Sequence, residues 1–148
     1  MYRSSEDRSP NCVDWLARTP EGRVYEDDVD MVIAPGSEGY LGILPHHAPL
    51  LTGLGPGEFR IKKGGTEEVL AVFGGFMDVR DDKVVVLTEA AEPADEIDAQ
   101  RAQEARKRAQ ELLQAGSLSA ADEARARVSL QNALVRIRVS ERRRRTRA

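Results

Sequence analysis

The sequence predicts an α+β chain in two parts, an N-terminal antiparallel β-sandwich followed by a C-terminal α-helical hairpin. Three observations carry this. Before Glu92-Pro93 the chain is rich in Gly, Pro and β-branched residues; after it Ala, Arg, Glu and Gln dominate, with a single Gly and no further Pro. In the first part, short apolar runs are cut by turn dipeptides with no helical run between them, which suits a sandwich or barrel. In the second, apolar residues recur at i, i+4, i+7 and i+8, which is one face of a helix. A length of 148 residues fits one domain with an appendage. The expected segments are a disordered extension over 1–10, a sandwich over 11–92, a helix-turn-helix over 93–140 and a basic tail over 141–148.

The strands follow in order. Val13, Trp15 and Ala17 alternate with Asp14, Leu16 and Arg18, a half-buried strand. Pro20-Glu21-Gly22 is a turn, since proline presets φ and glycine accepts a positive φ. Val24 to Ala34 is an extended run expected to end at Pro35-Gly36. Ile43-Leu44 sits between Gly42 and Pro45. Glu58 to Lys62 places Phe59 and Ile61 on one face. Lys63-Gly64-Gly65-Thr66 is a hairpin turn into Val69–Phe73. Gly74-Gly75 interrupts as a bulge or close backbone crossing, and Phe76 to Arg80 resumes. Asp81-Asp82 turns the chain into Lys83–Thr88.

The helices have their own punctuation. Pro93 fits a first helical turn, and Asp95, Glu96 and Asp98 favour the positive end of a helix dipole. The first helix is expected to run to about Ala115, with Gly116 as a left-handed stop. Ser119 with Asp122 resembles a capping box at the start of a second helix over about Ala120 to Val139. Its stripe is Ala126, Leu130, Ala133, Leu134 and Ile137; that of the first helix is Ala102, Ala105, Ala109 and Leu112. Alanine buries little area, at about 25 cal/mol per Å², so the seam between these helices is weak and the hairpin is expected to detach and extend.

Composition excludes several classes of function. Charged residues make up 32% of the chain, and no apolar run approaches a membrane span. Residues Met1–Pro10 carry no secretory apolar core, which points to the cytoplasm. A single cysteine, Cys12, rules out an internal disulfide or a cysteine zinc cluster. His46 and His47 are adjacent and point to opposite faces of an extended segment, unsuited to a shared metal. Phosphate-loop, nucleophile-elbow, zinc-protease and EF-hand spacings are absent, so no metal or catalytic residue is assigned. From Arg136 to Ala148 seven arginines meet one acid, a net of +6; the remainder carries −3 − 6 = −9. Such a run reads as a solvated, frayed tail. A nucleic-acid binder would need a broader basic surface.

Several motifs together carry a resemblance. Val29-Asp30-Met31-Val32, the stretch Gly36–Thr52, Phe73-Gly74-Gly75-Phe76-Met77-Asp78-Val79, Ala90-Ala91-Glu92 and Ile97-Asp98-Ala99-Gln100-Arg101-Ala102 occur in the order seen in the epsilon subunit of the F-type ATP synthase. The chain resembles that family from about residue 12 to 139. The resemblance implies a sandwich of about ten strands at the foot of the central stalk. It implies as partners the gamma subunit, the c-ring and, through an extended hairpin, the alpha and beta catalytic subunits. Neither nucleic acid nor direct membrane insertion is implied. The implied role is transmitting rotation and inhibiting ATP hydrolysis, without catalysis and without a required cofactor, at the cytoplasmic face of a bacterial membrane.

The resemblance also implies two sites. The ring-facing edge falls on Gly36, Ser37, Glu38, Gly39, Tyr40 and His47, with Tyr40 where a second acid is common and His46 where glycine is common. A regulatory ATP site falls on Glu92, Ile97, Asp98, Arg101, Ala102, Arg108 and Arg136, with Glu92, Asp98 and Arg101 at the adenosine end and Arg108 and Arg136 at the phosphates. Asn132 stands where the best nucleotide binders have another arginine. Read simply as helix residues, Asp98 and Arg101 form an i, i+3 ion pair. A stand-alone nucleotide-sensing module is the alternative function.

Overall fold

The computed structural model describes residues 11–22 and 24–147, so the expected disorder of residues 1–10 lies outside the described residues. Two compact units meet between Ala91 and Glu92. The first holds β1 (Val13–Arg18), β2 (Val24–Val29), β3 (Met31–Gly36), β4 (Gly39–Ile43), β5 (Leu50–Lys63), β6 (Thr66–Arg80) and β7 (Lys83–Leu87), and a short β8 (Ala91–Pro93) marks the boundary. The order across the sheet is β2-β1-β7-β6-β5-β3-β4.

Three strand steps separate β1 from β5, about 14 Å if the sheet were flat. Yet the rings of Trp15 and Phe59 stand 4.8 Å apart. The sheet therefore doubles over into two layers, with Trp15, Phe59, Ile43, Leu70, Met77 and Val86 buried between them. Glycines lie where the two longest strands face each other: Gly53, Gly55 and Gly57 on β5 run opposite Gly74 and Gly75 on β6. Gly75 holds φ 123°, and a Cβ there would overlap the carbonyl oxygen of Leu87. The close crossing expected at Gly74-Gly75 is present, but the strand runs through it unbroken. For the same reason β5 starts at Leu50 rather than Glu58. Pairing in one register on both sides of Gly55 and Gly74 leaves eight strands among the described residues, where the resemblance implies about ten.

Three further differences have local causes. The Val24–Ala34 run is split at Asp30, because β2 pairs with β1 while β3 pairs with β4 and β5. Asp30 holds the switch: its N–H donates to Lys62 O at 2.8 Å, and its carboxylate accepts from Gly64 N at 2.8 Å. Pro35 and Gly36 lie inside β3 rather than after it, at a register shift against β5 that tolerates the missing proline N–H. Finally, β1 and β7 pair in parallel, between the antiparallel pairs β1–β2 and β6–β7. The expected turns form: Gly22 at φ 80°, Gly64 and Gly65 at φ 56° and 80°, and Asp81 and Asp82 at φ 50° and 57°.

The second unit opens with a 3-10 turn over Ala94–Glu96, then α1 (Ala99–Ala115) and α2 (Ala120–Arg147). The first α-helix thus begins six positions after Pro93. Asp98 caps it, accepting from Gln100 N at 3.1 Å and Arg101 N at 3.2 Å. Gly116 ends it at φ 69°. Ser119 caps α2 by accepting from Asp122 N at 3.2 Å. Along the seam Ala102 and Ala109 of α1 and Ala126 and Ala133 of α2 are buried, while Leu112 and Leu134, expected on the stripes, are exposed. Val135 and Val139 are buried instead. The helix α2 continues past Val139 through the arginine run to Arg147, so the frayed tail expected from 141 is helical. Arginine is a good helix former and nothing after Gly116 is glycine or proline.

Candidate functional site

The start of the helical unit brings two kinds of side chain together. Asp98, Arg101, Ala102, Ala105 and Arg108 fall on one face of α1 because their spacings are those of successive helical turns. Glu92 precedes the 3-10 turn, and Arg136 projects from α2. Together with Glu96 and Ile97 they line a cleft of ≈ 400 Å³. All seven residues on which the resemblance places a nucleotide line this one cleft. Its volume lies in the range of small-ligand sites.

Glu96 and Ala105 also line the cleft; the sequence placed Glu96 near a helix start and Ala105 on a helix stripe, and neither in a site. Ala105 carried a readable signal, four residues after Arg101 and three before Arg108. Glu96 read only as an acid of the first helical turn, because the 3-10 turn that presents it to the cleft was not foreseen.

The cleft is electrostatically divided. Arg136 Nε donates to Glu92 Oε2 at 2.9 Å and Oε1 at 3.2 Å, and Nη2 donates to Oε1 at 2.8 Å. This hydrogen-bonded fork, with Glu92's charge behind it, raises the pKa of Arg136 above its ordinary value against the opposing effect of burial. The guanidinium therefore stays charged at any physiological pH. Arg101 and Arg108 carry no ion pair among the described residues. The expected Asp98–Arg101 ion pair is replaced by a main-chain contact, because the Asp98 carboxylate accepts the Arg101 N–H as helix cap. Three guanidiniums and three carboxylates line the cleft, one of each joined in the fork. Such a site has forks for phosphate oxygens and carboxylates able to accept from amino or hydroxyl groups.

The other candidate set lies on the β3–β4 hairpin and the turn after β4. Gly36 and Gly39 pair at the end of the β3–β4 hairpin, with Ser37 and Glu38 exposed at its tip. Ser37 N donates to Gly53 O at 3.0 Å, which anchors the tip on β5. Tyr40 is exposed along its ring, while its hydroxyl accepts from Glu58 N at 3.3 Å. His47 follows β4 in a turn closed by His47 N to Leu44 O at 3.2 Å, three residues before β5 begins at Leu50. Its Nδ1 is 2.7 Å from Ala48 O. His46 takes φ 66°, a conformation glycine adopts more readily.

Among the described residues no group of three or more His, Cys, Asp or Glu is arranged to hold a metal ion. No helix among them is long and apolar enough to cross a membrane.

Comparison with known proteins covers both units. Residues 17–94 match the family model for the ATP synthase delta/epsilon chain β-sandwich domain, and residues 95–141 match that for its long α-helix domain. An ATP synthase epsilon chain of Dehalococcoides mccartyi is 50% identical over 130 residues, covering 85% of this chain and 90% of the relative. One from Halalkalibacterium halodurans is 48% identical over 124 residues, covering 84% and 93%. Among solved structures, a chain of the Euglena gracilis mitochondrial ATP synthase, determined as OSCP/F1/c-ring, superposes with a TM-score of 0.74 at 25% identity, covering 88% of this chain and 83% of that one. A chain of the Tetrahymena thermophila synthase central stalk/c-ring has the same fold, with a TM-score of 0.62 at 16% identity, covering 86% and 96%.

Proposed function

Because this chain belongs to the ATP synthase delta/epsilon family, as an epsilon chain, we propose that it works in the central stalk as a nucleotide-sensitive brake on ATP hydrolysis. It is a non-catalytic subunit. Its partners are the gamma subunit, the c-ring and, when the hairpin extends, the alpha and beta catalytic subunits. It sits peripherally at the cytoplasmic face of a bacterial membrane. The stand-alone sensing module is not favoured, since the family match runs through both sandwich and helices.

The regulatory reading is supported by one observation, the cleft that gathers Glu92, Ile97, Asp98, Arg101, Ala102, Arg108 and Arg136 within the helical unit. ATP seated there bridges α1 and α2 and favours the closed hairpin over the extended one, because a ligand shifts an equilibrium by its differential affinity for the two states. The alanine seam provides little opposing stabilisation, so ligand occupancy has leverage. Arg101 and Arg108 are free to meet phosphate oxygens, and Arg136 does so when Glu92 releases it. ATP is thus a regulatory ligand here, with no cofactor required. The ring-facing edge is the polar Ser37-Glu38 tip with Gly36, Gly39, Tyr40 and His47. The helical arginine run of α2 is steered electrostatically toward acidic surface on the catalytic subunits.

The test reconstitutes the chain with a gamma subunit and the catalytic hexamer, then measures ATP hydrolysis with and without residues 93–148. Removal is expected to raise the rate, and ATP is expected to bind the free full-length chain in calorimetric titration. An unchanged rate removes the brake. Absence of binding heat at millimolar ATP removes the nucleotide switch.

A further inference from the structure

The groove between α1 and α2 continues beyond the cleft at the start of the helical unit. Arg101, Ala105, Arg108 and Leu112 recur at intervals of four, three and four along α1, and Arg125, Ser129, Asn132 and Arg136 do the same along α2, so each set forms one stripe on its helix. Arg136 lines the first cleft with Arg101 and Ala102. Nearer the turn that joins the helices, Arg125 and Ala126 line a second cleft, of ≈ 460 Å³, with Ala109 and Leu112. Ala105 and Arg108 belong to both. The guanidinium proposed to meet phosphate in the first cleft thus stands at the entrance to the second. The second cleft has a different character. Its floor is the buried pair Ala109 and Ala126, and Leu112 remains 50% exposed beside it. Leu118 adds a further apolar wall, while Asp122, Arg125 and Ser129 add polar groups. Asp122 and Arg125 meet only at 3.4 Å, with side chains 54% and 80% exposed, a contact too loose to hold either group against a ligand.

We infer that the second cleft is a subsite for a second nucleoside, so that the whole groove takes a dinucleoside polyphosphate. One adenosine occupies the first cleft, the phosphates cross Arg108, and the far nucleoside occupies the second. The inference rests on the nucleotide reading above. Two clefts of similar volume, ≈ 400 and ≈ 460 Å³, on either side of one shared cation suit a ligand with two similar ends joined by an anion. From Arg101 to Leu112 the groove follows eleven residues of helix, about 16 Å. A nucleobase has apolar faces to pack on Leu112 and Leu118 and to stack on the planar guanidinium of Arg125. Its ribose hydroxyls and ring edge can donate to Asp122 and accept from Arg125 and Ser129. An alkyl chain would use the apolar floor but leave those three polar groups unanswered. Joining the two nucleosides makes the second binding event intramolecular, and the ligand then spans more of the α1–α2 seam than ATP does.

The experiment titrates the full-length chain calorimetrically with ATP, adenosine tetraphosphate and diadenosine tetraphosphate. Diadenosine tetraphosphate is expected to bind one to one and at least tenfold tighter than ATP. A chain carrying Leu112→Ser and Arg125→Ser together is expected to lose that gain while keeping the parent's ATP affinity and helix content, since both side chains are exposed and neither lines the first cleft. If ATP binds and diadenosine tetraphosphate binds no tighter, the second subsite is overturned and the nucleotide reading stands. If no ligand binds at millimolar concentration, the nucleotide reading falls and the subsite with it. An equal gain for adenosine tetraphosphate assigns the gain to the added phosphate and overturns the subsite. A double variant that weakens ATP and diadenosine tetraphosphate by the same factor acts through the hairpin as a whole, which also overturns it.

Discussion

Arg136 holds Glu92 in a fork of three hydrogen bonds, 2.8–3.2 Å long, joining α2 to the residue that opens the helical unit. Both side chains are about one-third exposed, which screens their attraction but leaves the geometry bidentate. The fork is both a clasp on the hairpin and a rival for any anionic ligand that seeks Arg136. Arg136→Gln is expected to lower the stability of the helical unit by about 1 kcal/mol, read as faster amide hydrogen exchange in α1 and α2. Exchange rates equal to the parent's would show that the clasp contributes nothing.

Asp98 caps α1, and substitutions separate that role from the proposed contact with ligand. Asp98→Ala removes the side-chain acceptor for Gln100 N and Arg101 N, costing about 1 kcal/mol of helix stability. Asp98→Asn keeps an acceptor and is expected to restore most of that stability in thermal unfolding followed by circular dichroism. If the carboxylate charge also contacts ligand, the asparagine variant still binds ATP more weakly than the parent. Equal affinities would confine Asp98 to capping.

Asn132 lies one helical turn before Arg136 on α2. Asn132→Arg adds a cation beside the phosphate end of the proposed site, and charge-assisted hydrogen bonds are worth about 1.5–3 kcal/mol. ATP affinity is therefore expected to rise by roughly tenfold or more in calorimetric titration. Adenosine, lacking phosphates, should gain nothing; an equal gain for both ligands would place the new cation elsewhere.

Gly75 combines φ 123° with a Cβ direction blocked by the Leu87 carbonyl. Gly75→Ala is expected to destabilise the sandwich by about 3 kcal/mol, measured by urea denaturation. Gly22→Ala, with φ 80° but open space around its Cβ, should cost less, because only the backbone conformation opposes it. Equal losses would mean that the Leu87 overlap is relieved by a small shift.

Much of this architecture was legible because turns and caps are local. Gly64-Gly65, Asp81-Asp82, Gly116 and Ser119 each declared a break through the conformations they tolerate. Long-range pairing was less legible. Nothing local says that β5 keeps its ladder through Gly53, Gly55, Pro56 and Gly57, because the partner that permits it, β6, is ten to thirty positions away. Asp30 reads as strand in its own window, and only the divergent partners of β2 and β3 make it a switch. In the helical unit, the residues of the cleft were gathered by the resemblance rather than by local pattern, and the capping role of Asp98 depended on a helix start that Pro93 had suggested too early. Leu134 fits the stripe by spacing, yet Val135 and Val139 are the buried residues; helical periodicity gives a face, not its neighbours.

The parallel pairing of β1 with β7 has a consequence for biosynthesis. Leu16 aligns with Val85, 69 positions later. On the ribosome the opening strand can pair with β2 at once, but its other edge waits until β7 has emerged. Contacts of such long sequence separation slow folding, and in the interval Trp15 and its neighbours have an unsatisfied side. The nascent chain thus passes through a stage with an open strand edge prone to misassembly, which closes only when nearly the whole sandwich has been translated.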